Sequence, residues 1–99
     1  MAEDEAIVKA KKFLSIVNGF LAVESAYLFG SHVSGTPRPD SDIDIGIFAH
    51  TAEGEYFAVL KKLFAARRQI DALIEPHLFI TGNDTSGFHD VVRAGTRLL

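Results

Sequence analysis

The chain has 99 residues, 47% of them hydrophobic, no cysteine and a net charge of −3, which together describe a single domain over residues 1–99 with one modest core and no disulfide or thiolate chemistry. The acidic balance argues against autonomous nucleic-acid binding, because neutralisation of phosphates by a basic field supplies most of that affinity. There is no secretory signal and no apolar run of transmembrane length, so no membrane partner and a cytoplasmic location are expected.

Residues 3–18 read as a helix: Ile7, Phe13, Leu14 and Val17 form an apolar stripe, Lys9, Lys11 and Lys12 lie largely opposite, and Asn18-Gly19 supplies the stop. Ala22 to Phe29 turns apolar and aromatic as a strand does, and Gly30 ends it. Ser31 caps a short helical turn through His32–Ser34, closed by Gly35. The two prolines of Thr36–Asp40 make a loop that leads to a second strand, Ser41–Phe48. Residues 54–68 form a second long helix with Phe57, Leu60, Leu63 and Phe64 on one side. A third strand covers 70–75, and Pro76 through Gly87 reads as irregular apart from Leu78-Phe79-Ile80. A last helix around Phe88–Ala94 ends at Gly95, and Thr96–Leu99 adds an edge strand. Phe57, Phe64, Phe79 and Phe88 are expected in the core. The expected fold class is α/β (α+β), a small mixed β-sheet with helices packed on one face.

The densest chemistry lies in residues 28–48, LFGSHVSGTPRPDSDIDIGIF, where Gly30-Ser31 precedes Asp42-Ile43-Asp44. Side chains alternate along a strand, so Asp42, Asp44 and Gly46 share one face at about 6.5–7 Å between successive Cα atoms, and the isoleucines share the other. On this reading Gly46 leaves the surface beyond the aspartates open. Two carboxylates that close repel each other unless a cation compensates, and magnesium takes such hard oxygen ligands. A third carboxylate is expected from the strand at 70–75, where Asp71, Leu73 and Glu75 share a face. Asp71, at the strand's entrance, is preferred over Glu75, and it is also a candidate general base. Three carboxylates can hold two metals about 3.5–4 Å apart.

Gly30 lets a backbone approach a phosphate, and Ser31 adds a hydroxyl donor beside the free N–H groups of a helix start. The loop is neither a Walker A motif nor a dinucleotide fingerprint. His32, His50 and His89 have no metal-ligand spacing, whereas His77 lies close enough to the third strand to contact a ligand or nucleotide.

Gly-Ser, a spacer of this length, Asp-x-Asp and a later acidic residue resemble the signature of the minimal nucleotidyltransferases of the DNA polymerase-beta-like superfamily. The likeness runs from Leu28 to Phe48 and through Ile70–His77, and IEPHLF at 74–79 and the ending VVRAGTRLL are similar to the family's C-terminal segment. The resemblance implies a polymerase-beta-like nucleotidyltransferase fold. It implies Gly30 and Ser31 on a triphosphate, Asp42 and Asp44 on magnesium, and Asp71 completing a two-metal (Mg2+) site that uses ATP or another NTP. Many relatives carry an arginine where this chain has Ser34, and Arg38 is a candidate substitute.

Small members of this family resemble the antitoxin half of pairs whose partner is a helical HEPN-domain toxin, to which AMP can be transferred at a tyrosine. The expected function is magnesium-dependent transfer of NMP, foremost AMP from ATP, to a hydroxyl on a partner protein. The alternative is a non-catalytic antitoxin, a binding module that neutralises a HEPN-type partner by masking it. Either way the acceptor and the base-binding wall are expected from a partner protein or from self-association.

Overall fold

The computed structural model describes residues 2–30, 42–50, 55–81 and 88–99. Ser31, the turn at His32–Ser34, Arg38 and the side chain of Phe88 lie outside that set. In chain order the elements are α1 (Ala2–Val17), β1 (Val23–Phe29), β2 (Ile43–Ala49), α2 (Tyr56–Ala66) with a 3-10 turn at Arg67–Gln69, β3 (Ile74–Ile80), α3 (Phe88–Arg93) and β4 (Thr96–Arg97). The strands form one sheet in the order β3-β2-β1-β4. β1 runs antiparallel to both β2 and β4, and β2 and β3 are parallel, with α2 as the crossover between them.

α1 and α2 cover one face, giving the mixed sheet with its two long helices on one face that the periodicity implies. The buried stripe of α1 is Ala6, Ala10, Phe13, Leu14 and Val17, while Ile7 is only partly covered. Ile43, Ile45 and Ile47 of β2 point into the same core with Leu63 and Ile74, each worth about 1.5–3 kcal/mol of apolar burial. None of the described helices is long and apolar enough to cross a membrane.

The opposite face carries a second cluster of Phe29, Phe48 and Val92, with Tyr27 and Phe79 against it. Phe48 stacks on Phe79 at 5.1 Å and meets Tyr27 edge-on at 5.9 Å. Here the expectation that Gly46 leaves an open surface is corrected. Val92 of α3 occupies that space, and a Cβ at Gly46 would overlap its Cγ1.

β3 also differs from its expected span. It begins at Ile74 and runs through Pro76 to Ile80. Ile43 N–H donates to the Leu73 carbonyl and Thr81 N–H to the Ala49 carbonyl, so the odd-numbered residues of β3 turn their backbone groups towards β2. Pro76, of the other parity, faces the outer edge, where a missing N–H breaks no ladder bond. A second correction concerns Phe57, which is 74% exposed rather than in the core. Phe64 and Phe79 are half-buried.

Candidate functional site

β1 ends opposite the first polar residue of β2: Phe29 pairs with Asp44. The next residue, Gly30, has φ of +82°, and a Cβ there would overlap Oδ2 of Asp44. The bare α-carbon is therefore what lets the Asp44 carboxylate lie against the end of β1. From the other side, β3 holds the same group. His77 lies 3.2 Å from Asp44 through Nε2 and Oδ1. A carboxylate only accepts, so the ring donates from a protonated Nε2. The imidazole is itself packed edge-on to Phe29 at 5.1 Å. Asp42 stands two residues earlier, just ahead of β2, and is exposed.

Asp71 is engaged elsewhere. It precedes β3, in the turn that follows Arg67–Gln69. Its Oδ2 accepts from Lys9 Nζ of α1 at 2.6 Å, and its Oδ1 accepts from the Leu73 N–H at 2.8 Å. The Lys9 hydrogen bond foremost, and then the Leu73 N–H, hold the Asp71 carboxyl below its ordinary range. The same contact raises Lys9, with a smaller contribution from Glu5, whose Oε1 is 3.2 Å away one turn earlier.

Glu75 is the register partner of Asp44 on β3. In-register residues of neighbouring strands share a face at a strand spacing of about 4.8 Å, so two carboxylates emerge side by side there. Glu75 Oε2 lies 3.4 Å from Arg67 Nη1, which also donates to the Ile74 carbonyl at 3.0 Å. The fold thus brings together Gly30, Asp44, Glu75 and His77, with Asp42 just ahead of them, and ties Asp71 to α1 on the helix-covered side.

The choice between Asp71 and Glu75 turns on where β3 begins: the strand starts at Ile74, so Glu75 lies in it beside Asp44 and Asp71 lies ahead of it. No local signal in the sequence sets that start, because Asp71 and Glu75 fall on the same face by the alternation of a strand. Asp44 and Glu75 offer the hard oxygen donors that magnesium takes as one or two carboxylates alongside substrate phosphates. Among the described residues, no group of three or more His, Cys, Asp or Glu is gathered closely enough to hold a metal ion.

Residues 11–94 match the protein family described as Polymerase beta, Nucleotidyltransferase. Among curated proteins, none matches the chain. Among solved structures, the chain is similar to one described as the toxin–antitoxin MntA–HpeT, in a form with two aspartate-to-glutamate substitutions. The TM-score is 0.56 at 23% identity, over 94% of this chain and 72% of that one. At that identity the likeness is one of fold.

Proposed function

Since the chain belongs to the polymerase-beta nucleotidyltransferase family, we propose that it serves as the nucleotidyltransferase-fold half of a two-protein pair, an antitoxin-like module that neutralises a HEPN-type helical partner by covering it. The fold likeness to a toxin–antitoxin assembly supports the pairing. The observation that carries masking over transfer is Asp71. Both of its carboxylate oxygens are used inside the fold, by Lys9 and by the Leu73 N–H, which leaves the residue preferred as third metal ligand committed to stability.

A second reading, nucleotidyl transfer, is favoured by the carboxylates of Asp44 and Glu75 in register beside Gly30. On that reading Asp42, Asp44 and Glu75 would hold magnesium together with the substrate phosphates, and Gly30 with Ser31 would take the triphosphate of ATP or another NTP. His77 fixes the Asp44 carboxylate through its Nε2–H. Bound there, magnesium would supply neutralisation of triphosphate charge, while the partner's hydroxyl oxygen bonds to the α-phosphorus, pyrophosphate leaves and the hydroxyl proton passes to solvent.

The test is a neutralisation assay with the partner co-purified from the native source, using wild type and the Asp44→Asn/Glu75→Gln double variant. Masking expects both to bind and neutralise equally, with the partner's intact mass unchanged. A partner that gains the mass of a nucleotide with wild type alone, together with a variant that no longer neutralises, would overturn masking in favour of transfer.

A further inference from the structure

α2 has two apolar faces, and among the described residues only one of them is fully covered, with Leu60 of the other partly packed against the core. Val59, Leu63 and Ala66 point into the core. Phe57, Leu60, Lys61, Phe64, Ala65 and Arg68 line a groove of about 380 Å³ on the outside. Their spacing is i, i+3, i+4, i+7, i+8 and i+11, a continuous stripe along one side of the helix. Phe57, at 74% exposed, stands at its N-terminal end. A helix apolar on both sides normally lies between two packed layers, and here the described residues supply one layer.

The charge around the groove indicates what the second layer is. Residues 56–69 contain Lys61, Lys62, Arg67 and Arg68 and no acid, in a chain whose net charge is −3. Two of these cations are occupied: Lys62 lies over the Phe20 ring at 5.7 Å, and Arg67 over Phe64 at 4.8 Å. Lys61 and Arg68 flank the groove without an ion-pair partner among the described residues.

Strand addition is the other common way to capture a partner, and the outer edge of β3 is closed to it. The Ile74 carbonyl accepts from Arg67 at 3.0 Å, the Leu78 carbonyl accepts from the Tyr56 hydroxyl at 3.3 Å, and Pro76 between them has no N–H to offer.

We infer that the outer face of α2 is the docking groove for an amphipathic helix of a protein partner, whose apolar residues seat on Phe57, Leu60 and Phe64 and whose flanking Asp or Glu residues meet Lys61 and Arg68. This inference rests on the proposed pairing and names the chemistry of its interface.

The test uses the purified full chain and two helix-forming peptides with leucine at i, i+3, i+4 and i+7, one flanked by glutamates and the other by lysines. Calorimetry and ¹⁵N shift mapping read binding. The glutamate peptide is expected to bind, with shifts centred on Phe57, Lys61, Phe64 and Arg68. Phe57→Ser and Lys61→Glu/Arg68→Glu should each weaken it at least tenfold with an unchanged melting temperature, and the charge-reversed variant should take the lysine peptide instead.

Equal binding of both peptides, binding of neither, or shifts away from α2 would overturn the inference. So would a concentration-dependent homodimer that Phe57→Ser dissolves, which would make a second copy the occupant. Binding of phosphatidylserine vesicles in place of the glutamate peptide would make it a lipid surface and likewise overturn it. The peptide arm needs no natural partner, so its failure is distinguishable from failure of the neutralisation assay.

Discussion

Gly30 sits at φ of +82°, where an L side chain costs about 1–2 kcal/mol, and the position where its Cβ would lie is taken by Asp44 Oδ2. Gly30→Ala therefore strains the backbone and displaces a carboxylate at once. The expected loss of stability is about 1–3 kcal/mol, read by thermal unfolding. Because His77 donates to the other oxygen of the same carboxylate, the His77 ring resonances should move as well. An unchanged His77 signal would mean that Asp44 does not depend on Gly30 for its place. At this scale the sequence was readable wherever chemistry is local. Gly30 and the Asp42/Asp44 pair are recognised from neighbours along the chain, and β1 and β2 deliver Gly30 and Asp44 to one point. Asp71 and Glu75 could not be ranked in the same way. Their order depends on where β3 starts, and that is set by Leu73 and Thr81 bonding across to β2 and by Lys9, far away in sequence, engaging Asp71.

Among the elements, β3 departs most from its sequence pattern, and α3, which keeps its expected span, packs where the pattern left open space, each for a tertiary reason. A proline ordinarily ends a strand, but Pro76 faces an edge whose neighbouring carbonyls are already satisfied by Arg67 and Tyr56, so β3 continues through it. α3 is only six residues long and has little stability of its own. Val92, fully buried in the notch above Gly46, is what fixes it to the sheet. A missing side chain in a sequence reads equally well as open space or as room for something else, and nothing near Gly46 says that a residue 46 positions later fills it. The pairing makes a quantitative prediction. Gly46→Ala overpacks the notch and should cost about 1–3 kcal/mol. Val92→Ala empties it and should cost an amount of the same order. The double variant should be less destabilised than the two losses added, by about 1 kcal/mol or more. Urea unfolding of the four proteins measures the coupling, and strict additivity would mean that Val92 does not seat on Gly46.

Across the whole molecule, the Lys9–Asp71 contact joins the first helix to the entrance of the edge strand β3, 62 residues apart in sequence, and it makes stability depend on pH in a definite direction. The folded state holds the Asp71 carboxyl below its ordinary 3.8, chiefly through the Lys9 hydrogen bond. Its contribution is therefore complete above the ordinary aspartate range and is lost as pH falls through the lower, folded value. Lys9 is raised from 10.5 by the same bond, so its contribution is complete below that value and is lost only as pH rises through the higher, folded one. Between these limits the pair contributes in full. Its side chains are 32% and 20% exposed, so solvent and salt screen part of the attraction. Asp71→Asn isolates this effect, because an amide oxygen at the Oδ1 position can still accept from the Leu73 N–H while the charge facing Lys9 is removed. The variant should be less stable than wild type by about 1 kcal/mol at pH 7. The gap should narrow in 0.5 M salt and close as pH falls through the lowered, folded value and the wild-type carboxyl is protonated. Urea midpoints across that range read it directly. A gap that stays constant down to acid pH would assign the loss to the turn at Leu73 and remove the charge pair as the tie between α1 and the sheet.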